Sequence, residues 1–287
     1  MIQARVAGVS IQLNGGDPDF FPRRFAQYEI AADNADLSVN LLRVPDITLP
    51  KGEVIAERDG LVMIRTADGR VCRCIIGNKS GKILQCVSSS ADYAMCEYTL
   101  LESRRHPSLS LTDFEYLHSG EAFANRLAYL GGLVMHGSAI AYQENGVVFS
   151  APSGTGKSTH ASLWKQFYGE NVQHVNDDKP AIRFENDVPV VYGTPWSGKT
   201  DTNTNVSVPL KAIVFLKQAP ENRISPLSVE DALLHIHNET VRPFYDESLG
   251  IKVLQTAERL VQSVPVYLLE CTISREAVEL VKNTLKW

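Results

Sequence analysis

Residues 151–158 read Ala-Pro-Ser-Gly-Thr-Gly-Lys-Ser, between a short apolar run and a segment of helical spacing, and no other feature constrains the fold as strongly. A strand, a glycine loop and a helix opened by Lys-Ser together make a phosphate cradle. The glycines let backbone N–H groups close around an anion, and the helix N-terminus adds partial positive charge. In such a cradle Ser153, Gly154, Thr155, Gly156, Lys157, Ser158 and Thr159 meet the phosphates. Lys157 reaches the outer phosphates and the Ser158 hydroxyl ligates Mg²⁺, so the expected ligand is ATP with Mg²⁺. Ala151 stands where the usual pattern has glycine, which is tolerable only if that position does not need a positive φ.

The flanking chain supplies the sheet that such a loop needs. Upstream, residues 111–130 carry helical spacing, with Thr112 and Glu115 placed as a capping box, and 133–142 and 147–149 read as strands about an Asn145-Gly146 turn. Downstream, a helix is expected over 158–167, strands over 172–176, 181–184, 188–192 and 212–216, helices over 228–241 and 248–264, a strand over 266–269 and a closing helix over 274–285. The first hundred residues differ: short alternating runs at 6–13, 37–44, 60–65 and 71–76 are broken by turn residues, with Ala67-Asp68-Gly69 as a tight hairpin. The expected architecture is α/β or α+β. A β-rich unit over 1–110 precedes a nucleotide-binding domain over 111–287.

Composition excludes several classes. A net charge of −5 with scattered basic residues gives no positive stripe for nucleic acid. No stretch approaches the roughly 20 apolar residues of a membrane span, and the opening Met1-Ile2-Gln3-Ala4-Arg5 lacks the layout of a signal peptide. The five cysteines form neither a disulfide framework nor a C-x-x-C site, so a cytoplasmic location is expected and Cys72 and Cys74 read as packing or surface residues.

Three further groups bear on chemistry. Asn176-Asp177-Asp178 ends an apolar strand downstream of the loop, where strand ends gather around a ligand in an open sheet. One acid can hold the metal and the other accept a hydroxyl proton. His136, beside Gly137-Ser138, reads as mid-strand, either a core histidine or one facing the site. The run Gly193 to Thr200 is a second small-residue loop, and Trp196, Ser197, Gly198 and Lys199 are its candidate substrate contacts, with an ordinary turn anchored by Trp196 as the alternative.

His136-Gly137-Ser138, the loop Ser153 to Ser158, and Asp177-Asp178, in that order and spacing, resemble the C-terminal domain of HPr kinase/phosphorylase and its wider group of HPr-kinase-like proteins. Those proteins share a phosphate-loop fold with phosphoenolpyruvate carboxykinase. The resemblance spans about residues 130–217 and, more weakly, the rest of the chain to Trp287. It implies a kinase in which Lys157 and Ser158 bind phosphate and Mg²⁺, Asp177 is the base, Asp178 holds the metal and His136 supports the site, with the two aspartates interchangeable in role. It also implies a homo-oligomer. The chain departs from true HPr kinases in lacking their acidic glycine-rich signature, for which Gly193 to Thr200 stands in, and in carrying Thr159 where they have glutamate. Those departures argue against HPr as acceptor, while Thr-Pro-Trp-Ser-Gly-Lys is similar to HPr-kinase-like proteins found beside peptide-modification genes. The expected reaction is γ-phosphate transfer to a hydroxyl of a small molecule, peptide or protein. The competing expectation is a non-catalytic ATP-binding regulatory or assembly module acting with a peptide or protein partner.

Overall fold

A computed structural model describes the whole chain except Ala32, Asp33, Lys199 and Phe244. Contacts divide it into two compact units, Met1–Arg126 and Leu127–Trp287. The architecture is mixed α/β, with two sheets and six α-helices among the described residues. Within that set no helix is long and apolar enough to cross a membrane.

The first unit is built on one eight-stranded sheet. Strands β1 (Ile2–Val6) and β2 (Val9–Gly15) form a hairpin where a single strand over 6–13 is expected, because Ala7 and Gly8 take positive φ and turn the chain. A short helix α1 (Phe20–Phe25) buries Phe21 and Phe25. There follow β3 (Leu37–Val44), β4 (Glu53–Arg58), β5 (Leu61–Arg65), β6 (Val71–Ile76), β7 (Ile83–Ser89) and β8 (Met95–Leu101). Alternation sets the buried face of β3, where Leu37, Val39 and Leu41 point inward. The Asp68-Gly69 hairpin joins β5 to β6 as expected, and Cys72, Cys74 and Cys86 pack with Val62 and Ile64 in a small buried cluster. Helix α2 (Leu111–Tyr129) is capped two residues earlier than the sequence suggests: Ser110 Oγ accepts from the Asp113 N–H (3.1 Å). Thr112 and Glu115 serve tertiary contacts instead, with Glu115 held by Arg43 at 2.7 Å and Thr112 donating to Asp17.

The second unit places nine strands in one sheet. Its elements are β9 (Leu133–Val134), β10 (Gly137–Tyr142), β11 (Asn145–Ser150), α3 (Lys157–Tyr168), β12 (Val172–Asn176), β13 (Ala181–Glu185), β14 (Val188–Tyr192), β15 (Ser207–Gln218), β16 (Arg223–Pro226), α4 (Val229–Glu239), α5 (Glu247–Ser263), β17 (Val266–Cys271) and α6 (Arg275–Thr284). Gln143 and Glu144, not Asn145-Gly146, take the positive φ of the β10–β11 turn. Helix α3 carries His160, Ala161 and Trp164 on its inner face, and Trp164 packs with Phe149, Val214 and Val281 in the core beneath the loop. Ser228 and Ser274 cap α4 and α6 as expected, each accepting from the backbone three residues on.

Strand direction decides where the chemistry collects. β11 runs antiparallel to β10 and parallel to β15, and β12 runs antiparallel to β10. The start of β10 therefore shares one sheet edge with the ends of β11, β12 and β15. Register makes this concrete, since Gly137 faces Ser150 and Ala139 faces Asn176.

Candidate functional site

The loop from Ala151 to Gly156 leaves the end of β11 and closes onto α3. Gly154 and Gly156 take φ of +81° and +112°, values a side chain rarely adopts, whereas Ala151 has no positive φ and is buried in the core. The glycine-to-alanine departure at 151 is thus sterically free. Gly156 sits at the N-cap of α3 without a side-chain cap, so the first N–H groups of the helix face the loop with their partial positive charge. The Lys157 ammonium donates to the carbonyls of Ala151 (2.7 Å) and Pro152 (3.3 Å). Burial pushes its pKa down, and the carboxylates of Glu239 and Asp178 oppose that shift.

Both aspartates stand at the end of β12, and different partners hold them. Asp177 accepts from Ser138 Oγ on β10 (2.7 Å, Oδ1) and from Thr200 Oγ1 (3.0 Å, Oδ2). Asp178 Oδ1 lies 3.0 Å from Lys179 Nζ and 3.4 Å from His136 Nε2. Its Oδ2 accepts no hydrogen bond among the described residues. Asn176 builds the turn that carries them. Its Oδ1 accepts from the N–H groups of Asp178 (2.8 Å) and Lys179 (2.6 Å), and its Nδ2 donates to Thr194 O (2.9 Å) and Trp196 O (3.4 Å). That buried amide ties the aspartates to the second small-residue loop.

His136 is not mid-strand. β9 and β10 are separated at Met135 and His136, because the His136 N–H donates to Glu239 O (2.7 Å) and Met135 bridges to Thr240. The ring then lies between two carboxylates, Glu239 at 3.2 Å from Nδ1 and Asp178 on the other nitrogen. Burial lowers its pKa, with Lys179 and Lys157 adding to the effect and the two acids opposing it.

These groups line one cavity of about 360 Å³, shared by Ser153, Lys157, Ser158, Thr159, His136, both aspartates, Ser197 and Gly198. Of the second loop's candidates, Trp196 is a buried anchor, Ser197 and Gly198 reach the cavity, and Lys199 lies outside the described residues. Gly198 has φ +66°, and a Cβ there would meet Asp178 at 3.1 Å. Three contributors escaped sequence reasoning. Ser138 and Thr200 sit inside quoted motifs and could have been found there, but Glu239 ends α4 and has no local signal.

One histidine of α3 gives a pH test. His160 is buried against Phe149, accepts from Trp164 Nε1 at Nε2 (3.4 Å), and burial pushes its pKa down from 6.5 to about 4. The unfolded chain binds this proton below 6.5 and the folded chain only below about 4, so its contribution to stability is complete above 6.5 and is lost as pH falls through that window. Melting temperatures measured from pH 7 to about 4 should fall more steeply in the wild type than in His160→Gln. Parallel profiles would mean that His160 is protonated in the fold.

The model of the family described as SynChlorMet cassette protein ScmC matches residues 116–286. The chain belongs to that family. Among solved structures it is similar to the Hpr(Ser) kinase/phosphatase from Coxiella burnetii, with a TM-score of 0.31 and 12% identity over 53% of this chain and 95% of that one. No curated protein matches the chain in sequence. A likeness of that size carries no mechanism, so function is argued from the residues in the cavity.

Proposed function

We propose that this ScmC-family protein is a kinase that transfers the γ-phosphate of ATP to a hydroxyl of a small-molecule, peptide or protein acceptor. In this reading residues 111–287 are a phosphate-loop domain of the HPr kinase type, and residues 1–110 form a separate β-rich unit. The observation that carries the proposal is the cavity itself. It sets a glycine loop with a buried lysine opposite a carboxylate, Asp177, whose two oxygens are each held by a hydroxyl.

The roles follow from what each group can do. Backbone N–H groups at the start of α3 and the Lys157 ammonium bind the phosphates. Asp177 accepts the proton of the attacking hydroxyl. As the acceptor oxygen forms its bond to γ-phosphorus, the bond to the β–γ bridging oxygen breaks and ADP leaves. Ser138 and Thr200 hold Asp177 in place. His136, clamped between Glu239 and Asp178, fixes the second acid. Ser158 and Asp178 line the cavity and offer the hard oxygen donors that suit Mg²⁺, and among the described residues Asp178 Oδ2 accepts no hydrogen bond. When bound, the ion neutralises charge on the β and γ oxygens. Ser197 and Gly198 lie where an acceptor would approach, with Trp196 buried beside them as an anchor.

Purified protein incubated with Mg²⁺ and γ-labelled ATP against a panel of hydroxyl-bearing metabolites and peptides should place label on one acceptor class. Tight ATP binding with the γ-phosphate left intact under every acceptor would refute the kinase and leave a binding module.

A further inference from the structure

A second cavity of about 360 Å³ opens on the far side of the glycine loop and shares Gly154, Gly156 and Thr159 with the acid-lined one. Its walls are of another kind. Leu163 of α3, Leu216 of β15, Cys271 at the end of β17 and Ile273 beyond it give it an apolar side, Lys217, Gln218 and Thr272 a polar one, and none of the aspartates reaches it. Strand direction explains its place, since β15 ends beside β11 and its Gln218 Nε2 donates to Thr155 O on the loop (3.1 Å). Ile273, on the turn before α6, leaves 76% of its surface exposed at this opening. An exposed branched aliphatic at the mouth of a cavity with apolar and polar walls gains when a flat ligand with an apolar face and polar edges covers it.

We propose that this cavity takes the base and ribose of the nucleoside triphosphate, with Ile273 and Leu163 packing on the base. The inference rests on the proposed phosphate-binding role of the loop. It also orients the nucleotide: a triphosphate crossing the loop from this second cavity delivers its γ end to Asp177, and the acceptor must enter from the side of Ser197 and Gly198. Gln218 Oε1 accepts nothing among the described residues and is placed to take a hydrogen bond from the base or a ribose hydroxyl.

Titration calorimetry with MgATP and with inorganic tripolyphosphate separates the two halves of the ligand. Wild type should bind MgATP more tightly than tripolyphosphate. Ile273→Asn should weaken MgATP by ~10-fold and leave tripolyphosphate unchanged, the size expected for losing part of one buried aliphatic contact. The residue is too exposed for the change to threaten folding. Equal affinity of the wild type for both probes, or Ile273→Asn altering both or neither, would overturn the nucleoside site while leaving phosphate binding intact. If neither probe bound, or Lys157→Ala bound both as well as wild type, the phosphate-loop reading would fail and take this inference with it.

Discussion

Lys157→Ala will reduce γ-phosphate transfer by ~10²–10³-fold, the range seen when one preorganised charged or hydrogen-bonding group is removed from a site of developing negative charge. The ammonium is buried and already engaged with two loop carbonyls, so a phosphate entering the cradle meets a positive charge in its working position and the protein need not reorganise to supply it. Burial alone would favour the neutral amine, and the carboxylates of Glu239 and Asp178 act against it. Glu239 thus affects both the imidazole of His136 and the charge of Lys157. Lys157→Arg should not restore activity, since a planar five-donor fork does not replace a compact ammonium packed against Ala151 and Pro152. Transfer rates and MgATP affinity measured together on the folded variant check the prediction, and unchanged values in both would remove Lys157 from the site.

The sequence made the local half of this site readable. An apolar strand, glycines at positions of positive φ and a helix opened by Lys-Ser are all specified by neighbours within a few residues, and α3 begins at Lys157, one residue from the expected start. The two aspartates were equally legible because they terminate an apolar run. What failed was set by contacts distant in the chain. The expected strand over 133–142 is interrupted at His136 because Glu239, 103 residues away, takes its backbone and its ring. The capping box at Thr112 and Glu115 was a sound local pattern, but Arg43 claims both side chains and Ser110 caps the helix.

Strand β4 of the first unit was lost for another reason. β4 is exposed along nearly its whole length and rich in Glu and Arg, so it shows none of the apolar alternation by which a strand is read. It is paired to β5 through backbone hydrogen bonds, which leave no mark on composition. Side-chain patterning reports burial, and edge strands such as this one have little of it.

Asp177→Asn should lower transfer by ~10²–10⁴-fold, the usual span for removing a general base, with MgATP still bound. The substitution is a fair test of chemistry because the surroundings can accept it. Ser138 and Thr200 each present a hydroxyl 2.7 and 3.0 Å from the carboxylate, and a hydroxyl can turn to accept from the new amide as readily as it donated to the acid. Shape and hydrogen bonding survive, and the capacity to take up a proton does not. Asp178→Asn probes the other role. Its carboxylate faces Lys179 and His136, and its Oδ2, which accepts nothing among the described residues, is the oxygen assigned to Mg²⁺, so that variant should need higher Mg²⁺ to reach its rate. If Asp177→Asn instead shifted the Mg²⁺ requirement and Asp178→Asn abolished the rate at saturating metal, the two roles would be exchanged. Full transfer by Asp177→Asn and by Asp178→Asn alike would rule out both aspartates as the base and would exclude their assistance to the attack by a hydroxyl.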